Sequence, residues 1–204
     1  MCSIIGSSNR EYFKKLYNLN AYRGALSHSL CALNVNGHIE QLAKDYGELT
    51  EDNIESFNSS FYFLGHSQAP TTESKNVHPA VNGGQLLWHN GIIKQGTFEG
   101  EWDTQWMLDN IIEKGFGFLS DVDGSFACVY HNTQNLFIFR NEISPLFVDA
   151  EFNISSTKFN NSTPVPPNKV YQVTFVTTDR DTPTVRLNVV AEFKTKENPY
   201  YFDE

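Results

Sequence analysis

Cys2 stands directly behind the initiator methionine, in the opening Met1-Cys2-Ser3-Ile4-Ile5-Gly6. Initiator methionine is usually removed when the next side chain is small, and cysteine is small enough. The thiol and a free α-amine would then share one residue. A free thiol has a pKa of roughly 8.5 and a terminal amine one of about 8, so the amine can take the thiol proton. Nucleophile and base arrive together, and no separate histidine is needed. From position alone, an ordinary buried cysteine on a first strand is the alternative.

Four motifs with polar, chemistry-bearing residues follow in order. They are Tyr22-Arg23-Gly24, Gly65-His66-Ser67-Gln68-Ala69-Pro70-Thr71, Trp88-His89-Asn90-Gly91-Ile92-Ile93 and Trp102-Asp103-Thr104-Gln105. A fifth stretch, Gly124-Ser125-Phe126-Ala127, leads through a hairpin to Arg140 and then Ser144-Pro145-Leu146. Taken singly, each has a plain structural reading. Asn90-Gly91 suits a turn, and Asp103 suits the acidic first turn of a helix. Arg23 suits a surface ion pair, Thr71 the start of a loop, and His66 and His89 hydrogen-bonded structural positions. Cys31 and Cys128 lie inside apolar strand patterns and read as buried packing residues.

These residues need a scaffold, and hydrophobic periodicity supplies one. Period-two or continuous apolar runs broken by Gly, Asn, Asp and Pro predict strands over 2–6, 26–35, 61–68, 86–93, 125–130, 135–140, 146–149, 170–177 and 185–193. A polar turn around His131–Gln134 joins two of them as a hairpin. Helices are predicted over 10–18, behind a Ser-Ser-Asn cap sequence, and over 102–114, with a third over 41–55. Segments 71–84 and 160–167 read as long surface loops. Many strands with few helices predict a layered α+β domain in which helices cover stacked antiparallel sheets. The predicted division is a single domain over 1–195 and an acidic, aromatic tail over 196–204.

Composition narrows the function. At 204 residues, 40% hydrophobic and 19% charged, the chain has the make-up of one soluble globular domain. A net charge of −9, with no basic stripe, argues against nucleic acid and anionic membrane surfaces as partners. No apolar run approaches the roughly 18 residues of a membrane span. No charged and apolar leader opens the sequence, and three cysteines are an odd number without C-x-x-C spacing. A cytoplasmic location is therefore expected. The six histidines form no H-E-x-x-H pair, so neither a metal site nor a cofactor is expected.

The five motifs in this order behind an N-terminal cysteine resemble the class II glutamine amidotransferase domain, the Ntn-hydrolase domain of glucosamine-phosphate synthase, asparagine synthetase B and amidophosphoribosyltransferase. The similarity runs from residue 1 to about 180. The short stand-alone format looks like versions carried by large phages, which would place it in the host cytoplasm. The resemblance implies a four-layer αββα Ntn-hydrolase fold with two stacked antiparallel sheets. It implies Cys2 as the nucleophile, and the Asn90 side chain with the Gly91 backbone N–H as the oxyanion pair. Asp103 matches the carboxylate for the α-ammonium of glutamine, Thr71 a residue lining the glutamine pocket, and Arg23 an arginine beside the nucleophile.

Three positions depart from the pattern. Gln68 stands where the family has an arginine for the α-carboxylate of glutamine, and a neutral amide cannot reproduce that charged fork. Ser3 replaces a usual glycine, which is expected to narrow the site beside Cys2. Leu26-Ser27 replaces an Asp-Ser pair. The expected activity is glutamine hydrolysis through a γ-glutamyl thioester, with ammonia passed to a separate acceptor enzyme. A different amide substrate or an acyl transfer is the alternative that Gln68 suggests. A catalytically inactive binding module is the third reading.

Overall fold

Alternation along the opening strand sets the layering. Ile4 joins a core between two sheets, whereas its neighbour Ile5 enters a second cluster with Phe13 and Leu16 of a helix. Successive strand side chains leave on opposite faces, so a strand buried on both faces needs a layer above and a layer below. The computed structural model describes residues 2–57, 61–69, 76–95, 102–177 and 183–195.

In chain order the first half holds β1 (Ser3–Ser7), α1 (Arg10–Asn20), β2 (Ser27–Leu33), β3 (Ile39–Tyr46), α2 (Glu51–Ser56), β4 (Tyr62–Gln68), β5 (Ala80–Asn82) and β6 (Gln85–Ile93). The second half holds α3 (Asp103–Lys114), β7 (Gly124–His131), β8 (Leu136–Arg140), β9 (Phe147–Val148), β10 (Ile154–Ser155), β11 (Thr163–Pro164), β12 (Lys169–Thr177) and β13 (Pro183–Glu192). One antiparallel sheet has the order β11-β9-β10-β1-β4-β2-β3, and the other β13-β12-β8-β7-β6-β5. Between them lie Ile4, Leu64, Trp88, Val129, Ile138 and Val173. The Trp88 indole N–H donates across the layers to Ser29 Oγ at 3.1 Å, so this core has a fixed register as well as an apolar filling.

Helices close the two outer faces. Asn9 caps α1 by accepting the Tyr12 N–H at 2.9 Å, and Phe13 and Leu16 bury against Ile5, Leu30 and Phe63. On the other face Met107, Leu108 and Ile111 of α3 pack on Leu87, Phe126 and Cys128. Cys31 and Cys128 are wholly buried packing residues, and burial raises both thiol pKa values. The fold is α+β with four layers in the order αββα.

The helix expected over 41–55 does not form as such. Its first half is β3, paired along β2 from Ser27↔Tyr46 to Leu33↔Ile39. Gly47, at φ +87°, ends that strand, and only Glu51–Ser56 coils, behind a Thr50–Asn53 capping box. β3 is an edge strand that is exposed over nearly its whole length, so it carries no alternating apolar signal. The loop expected over 71–84 contains β5, and β10 and β11 lie outside the predicted strands. Each is three residues or fewer, too short to show a period. The tail over 196–204 lies outside the described residues. Among the described residues, no helix is long and apolar enough to cross a membrane.

Candidate active site

Cys2 lies one residue ahead of β1. The register Ser3↔Ser67 brings it opposite Gln68, the last residue of β4, and both side chains are buried. Its carbonyl accepts from Arg23 Nε at 2.9 Å, and its Sγ lies 3.8 Å from the Ala69 carbonyl. Arg23 is itself 6% exposed, so it is a buried clamp on the Cys2 backbone and not a surface ion pair. Gly24 allows this packing. A Cβ there would lie 2.3 Å from Ala69 N and 2.5 Å from the Gln68 carbonyl carbon, so the turn after Arg23 rests directly on the end of β4.

Burial pushes the Cys2 thiol up, and the Asp103 carboxylate adds to the rise. A backbone hydrogen bond at Ala69 and the positive charges of the N-terminus and Arg23 oppose it without reversing it. The resting thiol is therefore protonated at neutral pH, and an attack by sulfur needs a base beside it. Ser3 does not crowd the thiol. Alternation puts it on the Ile5 face, where its buried hydroxyl has no partner among the described residues.

Asn90 and Gly91 are not a turn. They lie inside β6, paired with Ala127 and Phe126 of β7. Asn90 Nδ2 donates to Ser156 Oγ at 3.1 Å, and the same oxygen accepts the Ile4 N–H at 2.9 Å. Ser156 thus ties the Asn90 amide in one sheet to the backbone of β1 in the other, two residues beyond Cys2. The second Nδ2 hydrogen has no partner among the described residues. Nothing in the sequence marks Ser156, because its partners lie 152 and 66 positions away. Ser156→Ala is expected to lower turnover by about ten- to a hundredfold while leaving the fold intact, since it frees the donor without removing it. Steady-state rates alongside a thermal melt separate the two effects.

Gln68 is buried, and its Oε1 accepts from Ser27 Oγ at 2.8 Å and lies 3.4 Å from His78 Nδ1. His78 stacks on His66 at a ring separation of 4.0 Å, and its Nε2 lies 3.1 Å from Thr104 Oγ1. The same hydroxyl lies 3.2 Å from His89 Nδ1. Asp103 opens α3 and accepts the Ile93 N–H at 3.2 Å and the Thr104 N–H at 2.7 Å. It acts as a helix-terminal acid, and its charge also acts on the Cys2 thiol. Thr71 lies outside the described residues.

His66, His78 and His89 are all buried; His78 and His89 meet Thr104 of α3, while His66 Nε2 lies 3.1 Å from the His89 carbonyl and its Nδ1 has no partner among the described residues. Nothing in the sequence marks His78, which falls inside the stretch read as a loop over 71–84. Burial holds the His66 imidazole down to about 3, and it pushes His78 and His89 down as well, against the pull of Asp103 on His89. In the unfolded protein these rings take up protons near pH 6.5, whereas in the folded protein all three do so at lower pH, His66 only near 3. Stability is therefore expected to fall as the pH drops through 6.5 and to keep falling toward 3. The slope reaches up to about 1.4 kcal/mol per pH unit for each ring. Thermal melts between pH 8 and pH 4 read this directly, and a flat profile between pH 7 and 5 would contradict it.

Two stacked antiparallel sheets between helical layers form the Ntn-hydrolase fold. Solved structures share it. A glutamine phosphoribosylpyrophosphate amidotransferase from B. subtilis, complexed with ADP and GMP, superposes on 93% of this chain and 50% of its own, with a TM-score of 0.59 at 13% identity. A second structure, described as the allosteric regulatory enzyme of purine biosynthesis, covers 92% of this chain and 49% of its own, with a TM-score of 0.59 at 14% identity. The protein thus spans about half the length of either. The sequence matches no protein-family model and no curated protein.

Proposed function

We propose that the protein is an N-terminal-cysteine amidohydrolase of the glutamine amidotransferase type. One observation carries this reading: the Asn90 amide, with one N–H unused among the described residues, is tied through Ser156 to the strand that Cys2 begins. A nucleophile and an oxyanion donor are thereby held by one bridge across two sheets. The fold shared with two solved structures, one of them named as a glutamine phosphoribosylpyrophosphate amidotransferase, supports it.

After loss of Met1 the Cys2 α-amine takes the thiol proton, and sulfur attacks the carbonyl carbon of a side-chain amide. Asn90 Nδ2 and the Gly91 N–H receive the charge that develops on oxygen. The C–N bond breaks and ammonia leaves with the proton. Water then attacks the thioester carbon, the C–S bond breaks, and a carboxylate is released. Asp103 binds the substrate ammonium, while Gln68, Arg23 and Thr71 complete the pocket. The ammonia passes to a separate acceptor protein. The direct test is ammonia release from processed protein given a glutaminyl amide, with intact mass confirming Met1 removal. Retained Met1 together with no labelling of Cys2 by a glutamine-mimicking electrophile would leave the binding-module reading.

A further inference from the structure

The charges around Gln68 define which amide fits. Ser27 Oγ and His78 Nδ1 both address Oε1, so the amide is turned with Nε2 away from them, and that nitrogen has no hydrogen-bond partner among the described residues. The neighbouring cations are engaged elsewhere. Arg23 holds the Cys2 carbonyl through Nε and reaches the Tyr22 hydroxyl through Nη1 at 3.5 Å, and Lys44 holds the carbonyls of Val77 and Pro79. The three imidazoles are buried and uncharged at neutral pH. A free carboxylate placed against Gln68 would lose its hydration and gain only neutral donors, a costly exchange in a buried site. An amide carbonyl placed there is a matched partner for Nε2. Asp103, by contrast, retains a carboxylate for an ammonium.

We propose that the substrate is a glutamine at the N-terminus of a peptide, with Asp103 receiving its α-ammonium and Gln68 Nε2 donating to the carbonyl of its first peptide bond. The inference rests on the amidohydrolase reading above and names its substrate. Chemically, the C–N bond of the glutamine's γ-amide breaks, water supplies the new oxygen, and N-terminal glutamate and ammonia are the products.

The experiment is ammonia release by the processed protein from free glutamine, the peptide Gln-Gly-Phe, its N-acetyl form, and Gly-Gln. The expected kcat/KM for Gln-Gly-Phe exceeds that for glutamine by about tenfold or more, chiefly through KM, and N-acetylation lowers it by at least as much. Gln68→Arg should move the preference back toward free glutamine. If that variant does not fold, the wild-type ranking alone decides. Cys2-dependent turnover that favours free glutamine, or treats the N-acetyl peptide equally, overturns the inference and leaves the amidohydrolase standing. No ammonia from any of the four, with Cys2 unlabelled by a glutamine-mimicking electrophile, overturns both.

Discussion

Replacing Cys2 with serine is expected to abolish amide hydrolysis, by about 10⁴-fold or more, while the protein melts within a few degrees of the wild type. The size of the loss follows from the role: removal of a covalent nucleophile leaves only the oxyanion donors and binding to assist water. The small effect on stability follows from position. Cys2 precedes β1, is 7% exposed, and makes one long sulfur contact to the Ala69 carbonyl. Serine replaces one small polar-tipped side chain with another there. A glutamine-mimicking electrophile should add one adduct to the N-terminal peptide of the wild type and none to the variant. Cys31 and Cys128 should stay unlabelled in the folded protein, because both are wholly buried in apolar clusters. Labelling that persists in the Cys2 variant would show that the reactive thiol had been misassigned.

Gly91→Ala is expected to be the most damaging single change to the fold itself. Gly91 has φ +153°, a backbone setting that side chains rarely adopt, and its Cβ would fall 1.9 Å from the Ser125 carbonyl oxygen. The obstacle is backbone of the adjacent strand, so no rotamer relieves it, and β6 must separate locally from β7. A loss of about 3–5 kcal/mol is expected. At about 2–4 °C per kcal/mol for a protein of this size, the melting temperature should drop by roughly 6–20 °C. Asn90→Ala is the informative contrast one residue away. It removes a donor without touching the ladder, so it should cost about 10²–10³ in rate with a far smaller change in melting temperature. Thermal melts and kinetics on the pair test whether Asn90 acts on the rate alone while Gly91 carries the fold as well. Equal melting temperatures for Gly91→Ala and wild type would refute the steric account.

How much of this was legible beforehand depended on range. Strands such as β4, β6, β7 and β12 announce themselves through their apolar runs, and the layering follows from which faces those runs cover. β3 could not be seen in the same way. It is an edge strand held by its ladder with β2, and its side chains face solvent. Local pattern cannot register an element whose stability comes from a partner strand. The departure at Gln68 was visible as a residue type, but its meaning was not. Only the fold shows Ser27 and His78 occupying its oxygen and leaving its nitrogen unpartnered among the described residues.

Residue type and short-range pattern were enough for the nucleophile candidate at position 2, for the glycine-bearing motifs at 24 and 91, and for the apolar strands that layer the domain. Each of these is a property of one residue or of a short run, and so can be read locally. Folding was needed before Ser156 could be seen to reach Asn90 and β1 together, Arg23 to grip the Cys2 carbonyl, and His78 and His89 to meet Thr104 of α3. Those arrangements depend on contacts between segments up to 152 residues apart. A hydroxyl or an imidazole has no periodic signature that announces which distant backbone it will meet.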